Sequence, residues 1–299
     1  MMSAIKEFSP APFELDLGVF DKPVLVFGGP YSNIQALDAL LAEATRLRID
    51  ADHMICTGDV VAYCGDPEAT TQRMIDAGIA TVKGNCEVSF GEAQDDCGCG
   101  FEPGSACDIL SKDWVAFANR QLSAGSRAWM RATPDSIVFQ MNGKSVRIFH
   151  GALSHISKFI FASDPVSTKW RELNVCSEDI LIGGHAGLPF VEPIADRLWL
   201  NAGVVGMPAN DGTARVWYSV LRPAGNDIEV EVRALDYDHR GAAEAMARNG
   251  LPSGYRQALA TGLWPSLDIL PDAERDMTGR PLAEVIYRYA QPEIRAAGS

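Results

Sequence analysis

The stretch KPVLVFGGPYSNIQALDALLAEATRLRIDADHMICTGD, residues 22–59, decides the fold. Residues 22–27 read as a short buried strand, closed by Gly28, Gly29 and Pro30. Ile34, Leu37, Leu40, Leu41 and Ala44 then recur three and four residues apart, the spacing of one helix face, so 33–47 is predicted to be a helix. Residues 52–57 read as a second strand, broken at Gly58 and Asp59. Working outward, 67–77 is a second helix and 80–83 a third strand ending at Gly84 and Asn85. Strands alternating with helices, with glycine at the strand ends, mark a layered α/β fold.

Further along, 114–130 reads as a helix carrying Trp114, Phe117, Leu122 and Trp129. Strands are predicted at 136–141, 145–149, 180–182, 198–200, 214–220 and 227–235, enough for a second sheet facing the first. Residues 1–21 read as an N-terminal arm. Residues 86–112, rich in Gly, Asp and Cys, read as an irregular loop insertion in a domain spanning 22–238. Residues 239–299 read as a C-terminal extension packed on that domain, helical over 239–260 and again at 282–289.

The chain has 299 residues, 47% hydrophobic and 22% charged, an ordinary balance for a globular protein. Its net charge of −13 repels phosphate backbones and argues against nucleic acid as a standing partner. It does not exclude a small phosphorylated substrate, because a bound cation reverses the field locally. No apolar run reaches membrane-spanning length, and the first 21 residues carry Glu7, Glu14 and Asp16 with no apolar core of a signal peptide. Seven cysteines, an odd number without the spacing of a disulfide scaffold, point to reducing cytosol. The expectation is a cytoplasmic protein with no membrane partner, with homo-oligomers left open.

Polar residues recur where predicted strands end. Asp59 follows MICTG, Asn85 follows TVKG, His150 follows VRIF and His185 follows ILIGG. Ligands of layered α/β folds gather at the carboxyl ends of strands. One carboxylate, one amide and two imidazoles are a donor set suited to one divalent transition metal, Mn, Fe or Zn.

In this order the motifs resemble those of the calcineurin-like metallophosphoesterases, most closely the small bacterial and archaeal phosphodiesterase branch. The segments are FGGPYSN (27–33), CTGDVVAYCGDP (56–67), VKGNCE (82–87), IFHGA (148–152), IGGHAGLPF (182–190) and LNAGVVGMPANDGTARVWY (200–218). The resemblance implies a four-layer α/β/β/α sandwich: two facing mixed sheets flanked by helices. It also implies two cations that share a bridging carboxylate, activate a water and clamp the phosphoryl oxygens. Asp59 matches the bridging carboxylate, and Asn85, His150 and His185 match the private ligands of the second site. The first site departs from the pattern. Gly29 stands at its Asp position, Tyr31 at its His position and Gly187 at the second His of G-H-x-H. One metal site is kept and the other is lost. Cys86 stands where many members carry a His that serves as general acid, so Asp59, Asn85, Cys86 and His150 are the expected catalytic set. A thiol of ordinary pKa donates a proton less well than an imidazolium.

Cys97, Cys99 and Cys107 follow Cys86 closely, and Cys64 lies in the loop after Asp59, expected near the same mouth. The C-x-C spacing is not that of a zinc ribbon. Three readings stand: a surface loop with incidental reduced thiols, an additional metal site to which Asp95 and Asp96 could add oxygens, and a redox disulfide. Tyr31 could approach a metal as phenolate, but packing or stacking on a substrate is the favoured role. Trp264 and Pro265 read as core or interface, and His53, His155 and His239 as surface residues. Ser32 and Asn33 match the family's Gly-Asn helix start, whose backbone N–H groups could face a phosphate. Two functions fit: a metal-dependent phosphoesterase acting on a small phosphodiester or phosphomonoester through an altered, mononuclear site, or a catalytically inactive binding or regulatory protein on the same scaffold.

Overall fold

A computed structural model describes residues 13–290. They form β1 (Glu14–Phe20), β2 (Val24–Phe27), α1 (Ile34–Leu47), β3 (Met54–Cys56), α2 (Pro67–Ala77), β4 (Ala80–Thr81), α3 (Asn85–Gly91), α4 (Ala106–Gln121) and α5 (Ala124–Ala132). The chain continues with β5 (Ser136–Met141), β6 (Lys144–Ile148), α6 (Val166–Leu173), β7 (Ile180–Gly183), β8 (Phe190–Ile194), β9 (Arg197–Asn201) and β10 (Val216–Ala224). It ends with β11 (Asp227–Leu235), α7 (His239–Arg248), α8 (Ser253–Thr261), α9 (Asp272–Asp276) and β12 (Val285–Tyr289). The strands make two mixed six-stranded sheets, ordered β1-β5-β6-β7-β9-β8 and β12-β11-β10-β2-β3-β4.

Strand alternation builds the layers. In β2, Val24 and Val26 face the other sheet and pack with Ile137, Ile148, Ile182 and Leu200. Leu25 and Phe27 face the opposite way, onto Leu37, Leu40, Met74, Trp114 and Met246 of the helices. The outer face of the first sheet packs Leu181 and Trp199 against Leu173 of α6. The result is the expected succession of helices, sheet, sheet and helix. Helix α1 starts where Asn33 Oδ1 accepts the Ala36 N–H at 3.1 Å, and stops at Arg48, φ 58.

Several local expectations are corrected. Residues 14–20 of the supposed arm form β1, an edge strand parallel to β5 with Glu14 beside Ser136; residues 1–12 lie outside the described residues. The segment 86–112 is not irregular throughout, since α3 occupies its start and α4 its end. Ser105 caps α4 by accepting the Asp108 N–H at 3.2 Å. The helix predicted over 114–130 is two, because Ser123 accepts the Ser126 N–H and starts α5. Residues 282–289 do not form a helix. The β-branched and aromatic run VIYRY pairs antiparallel with β11 instead. Helices α7 and α8 are separated near Gly250 and Pro252. Helix α6 and strand β8 were not anticipated; β8 carries Pro193, which its edge position tolerates. Among the described residues no helix is long and apolar enough to cross a membrane.

Candidate metal centre

Strands β2, β3 and β4 run parallel in one sheet, and β6, β7 and β9 run parallel in the other. Their carboxyl ends meet at one edge of the sandwich. There the Gly28 N–H donates to Gly203 O at 2.8 Å. Asp59 follows β3, Asn85 opens α3 after β4, His150 follows β6 and His185 follows β7. The four residues expected from the sequence therefore come together, all buried. His150 Nε2 lies 2.8 Å from His185 Nδ1, 2.9 Å from Asn85 Oδ1 and 3.2 Å from Asp59 Oδ2. Asp59, His150 and His185 form a compact potential cation site, with ligand atoms all within 4.8 Å of one another.

Hydrogen bonds outside the cluster turn lone pairs into it. His150 Nδ1 lies 2.6 Å from Thr57 O, a pure acceptor, so Nδ1 carries a proton and the neutral ring keeps its lone pair on Nε2. Asn85 Nδ2 donates to Cys97 O at 2.8 Å, which directs Oδ1 inward. A carboxylate oxygen, an amide oxygen and two imidazole nitrogens thus converge, a set that one cation satisfies. Burial pushes His185 down to about 3, helped by neighbouring His150, so its ring is neutral. Burial opposes a charge on His150, but the Asp59 carboxylate, the Thr57 carbonyl and the charge of Glu87 together outweigh it and raise that ring above its ordinary value. Burial would raise the Asp59 carboxyl, yet His150, His185 and the Cys86 N–H hold it below the usual range. The buried His185 Nε2 has no hydrogen-bond partner among the described residues and lies against Phe159. The donor set fits a divalent cation.

Sequence reasoning missed Glu87. Its fully buried carboxylate accepts the N–H groups of Asp59 (2.7 Å), Val60 (2.8 Å) and Gly84 (2.8 Å), tying the Asp59 loop to the start of α3. This clamp holds strained backbone: Asp59 sits at φ 59, and Tyr31 and Ser32 nearby at 52 and 59. Glu87→Ala leaves three buried N–H groups without an acceptor, each costing about 1–3 kcal/mol. Its unfolding free energy is expected to fall by at least about 3 kcal/mol, read from denaturant unfolding. An unchanged midpoint would show that water replaces the carboxylate at no cost.

Aromatic rings stand beside Gly29 and Gly187, the positions that the sequence resemblance assigns to the first site. The Tyr31 side chain occupies the space that a Cβ on Gly29 would enter. Beside Gly187, φ 72, the Trp264 ring is 3.7 Å from where a Cβ would stand. Burial, then the charge of Asp59, pushes the Tyr31 phenol well above its ordinary value. A cavity of about 60 Å³ opens here, with Asp59 and His185 in its lining and Tyr31, Tyr63, Phe159 and Trp264 among its walls. Trp264 and Pro265, expected in core or interface, therefore face the candidate site.

The cysteines divide. Cys97 and Cys99 are buried and joined by a disulfide, not reduced thiols on a surface loop. Cys99 and Cys107 line the cavity. Cys64 does not sit at the mouth: it is buried in the helix-side core with its thiol on Gly206 O. Cys86 is buried in the same core, and burial followed by the charge of Asp59 raises its thiol well above the ordinary value. Asp95 and Asp96 are exposed, and Asp96 accepts the Gly98 N–H at 2.7 Å rather than facing the cluster. The N–H groups of Ser32 and Asn33 donate to Val60 O and Pro30 O, both at 2.9 Å, and are not free for a phosphate. His155 is exposed, as expected.

Facing mixed sheets with a carboxylate, an amide and two imidazoles at their strand ends define a metallophosphoesterase scaffold. Residues 32–221, more than half of the chain, match the calcineurin-like phosphoesterase superfamily domain, and the chain belongs to that family. An uncharacterized protein of Methanocaldococcus jannaschii is 24% identical over 257 residues, covering 80% of this chain and 98% of that one. A metallophosphoesterase of Sphaerobacter thermophilus has a similar fold, with TM-score 0.63 and 20% identity over 82% of this chain and all of that one. A hypothetical protein of Pyrococcus horikoshii gives 0.67 and 14%, over 81% of this chain and 99% of its own.

Proposed function

We propose that this chain is a metal-dependent phosphoesterase hydrolysing a small phosphodiester or phosphomonoester at a single-cation site of Asp59, Asn85, His150 and His185. The convergence of four buried donor atoms, oriented by Thr57 O and Cys97 O, carries this reading. When bound, a divalent ion such as Mn, Fe or Zn polarises a phosphoryl oxygen and makes water nucleophilic. The protein's own part is to hold and orient. Asp59 supplies the negative charge, Thr57 fixes the tautomer of His150, and the Tyr31 and Trp264 rings narrow the approach and exclude bulk water. Cys86, expected as general acid, is a protonated buried thiol outside the cavity lining, which makes it a poor proton donor to a leaving group. We place the chain in the cytoplasm, on its cysteine usage.

One observation favours the second reading, an inactive binding or regulatory protein: the Tyr31 ring stands over Gly29, where the family resemblance expects an Asp ligand of the other cation. The two are separated by stripping the chain with chelator, reloading it with Mn²⁺ and offering a chromogenic phosphodiester. Hydrolysis that returns with Mn²⁺ and is absent in Asp59→Ala is the expected result. Bound Mn²⁺ without turnover of phosphodiester or phosphomonoester substrates would hand the case to the second reading.

A further inference from the structure

The C-G-C turn at 97–99 rests on the candidate metal centre. Asn85 Nδ2 donates to Cys97 O at 2.8 Å and to Cys99 Sγ at 3.3 Å. Cys99 shares the lining of one cavity with Asp59 and His185. From the other side, Ser157 Oγ donates to Gly98 O at 2.6 Å, so the turn is pinned between α3 and the loop that follows His150. Both sulfurs are buried and bonded to each other.

We propose that the Cys97–Cys99 disulfide is redox-cleavable, and that its reduction frees the Cys99 sulfur to turn toward the cation held by Asp59, His150 and His185. The proposal rests on the metal-site reading given above. If the chain works in the reducing compartment proposed above, a cysteine bridge there is more often transient or sensing than structural. The reductant is a dithiol. It gives two electrons and two protons, its own sulfurs form a disulfide, the Cys97–Cys99 bond breaks, and each cysteine becomes a thiol. When Cys99 Sγ binds the cation its proton passes to water.

Cys99, not Cys97, is the sulfur placed to do this. Cys97 meets Asn85 through its carbonyl, whereas Cys99 meets it through Sγ and faces the cavity. Two bonds that hold the turn, Asn85 to Cys97 O and Ser157 to Gly98 O, involve neither sulfur and are not removed by reduction, whereas the contacts of Cys99 N–H with Cys97 Sγ and of Asn85 Nδ2 with Cys99 Sγ, both 3.3 Å, each involve one. Rotation about the Cα–Cβ bond of Cys99 then moves Sγ between staggered positions while the backbone stays in place. A bridged sulfur is a weak ligand and a thiolate a strong, soft one, so reduction shifts the site from oxygen and nitrogen donors toward a mixed set that favours zinc.

The test is spectroscopic and independent of turnover. Full-length chain is stripped with chelator, kept oxidised or reduced with a dithiol and desalted, then loaded with Co²⁺. Oxidised wild type is expected to show only weak d–d bands, and reduced wild type a near-ultraviolet sulfur-to-cobalt charge-transfer band. Cys97→Ser is expected to show that band without reductant, and Cys99→Ser to lack it under both conditions. Both variants lack the bridge, so a merely structural bridge would give them the same spectrum. Co²⁺ bound without a charge-transfer band in reduced wild type and Cys97→Ser overturns the proposal and leaves the metal site standing. A band that persists in Cys99→Ser also overturns it, by assigning the sulfur to another cysteine. No Co²⁺ bound in any form overturns the metal-site reading together with the proposal.

Discussion

Asp59→Ala and His185→Ala are each expected to bind Mn²⁺ at least about 100-fold more weakly than wild type, beyond the loss typical of an outer-shell partner. Tyr31→Phe is expected to bind it as wild type does. Wild type is expected to take up one cation per chain. Asp59 is the one carboxylate in the compact triad, and its removal leaves two neutral imidazoles and an amide to hold a doubly charged ion. His185 is held neutral by burial and His150, so its lone pair is available without displacing a proton. Tyr31 is different: its ring packs over Gly29, and it is not one of the donors that converge at the triad. Titration against a metal buffer reads affinity and stoichiometry together, and anomalous diffraction locates the ion. Two peaks about 4 Å apart or closer would sink the single-cation expectation. Equal affinity in Asp59→Ala would remove the cluster itself from consideration.

Much of this centre is legible from sequence because buried parallel strands leave few options at their ends. A polar residue preceded by glycine after an apolar run, as at Asp59, Asn85 and His185, has to face the strand-end crevice or cap a turn. What was not legible depends on contacts between distant residues. Glu87 falls in the segment read as an irregular loop, and only the folded chain shows its carboxylate on the N–H groups of Asp59 and Val60. The seat of Cys99 on Asn85 joins two positions through a turn whose glycines and aspartates read as solvent-exposed loop. The edge strands β1 and β12 escaped for another reason. Each has one ladder partner, and Gly18 in β1 interrupts the alternation of Leu15 and Leu17.

The largest change expected in the other direction comes from rebuilding the first cation site, whose ligands the family resemblance implies are replaced at Gly29, Tyr31 and Gly187. Gly29→Asp, Tyr31→His and Gly187→His together are expected to raise the stoichiometry from one cation to two. The order of replacements matters. Gly29→Asp alone drives its Cβ into the Tyr31 ring, an overpacking that costs about 1–3 kcal/mol, and it is expected to bind no second ion. Shrinking Tyr31 to His clears that volume and supplies an imidazole in the same step. A side chain at Gly187 has room beside Trp264, with 3.7 Å to the nearest ring atom, but the position sits at φ 72. A non-glycine residue there costs about 1–2 kcal/mol, which cation binding has to offset. Asp59 Oδ1 accepts the Cys86 N–H at 3.1 Å while Oδ2 faces His150, so bridging a further ion requires one of these oxygens to be shared with it. Mass spectrometry under native conditions counts the ions, and thermal unfolding with and without Mn²⁺ shows whether the second one stabilises the fold. A folded triple variant that still holds one cation would mean that Trp264 and Val204, not the missing ligands, close this position. Gly29 and Tyr31 would then be packing partners of each other, and the chain would be single-cation by shape as well as by composition.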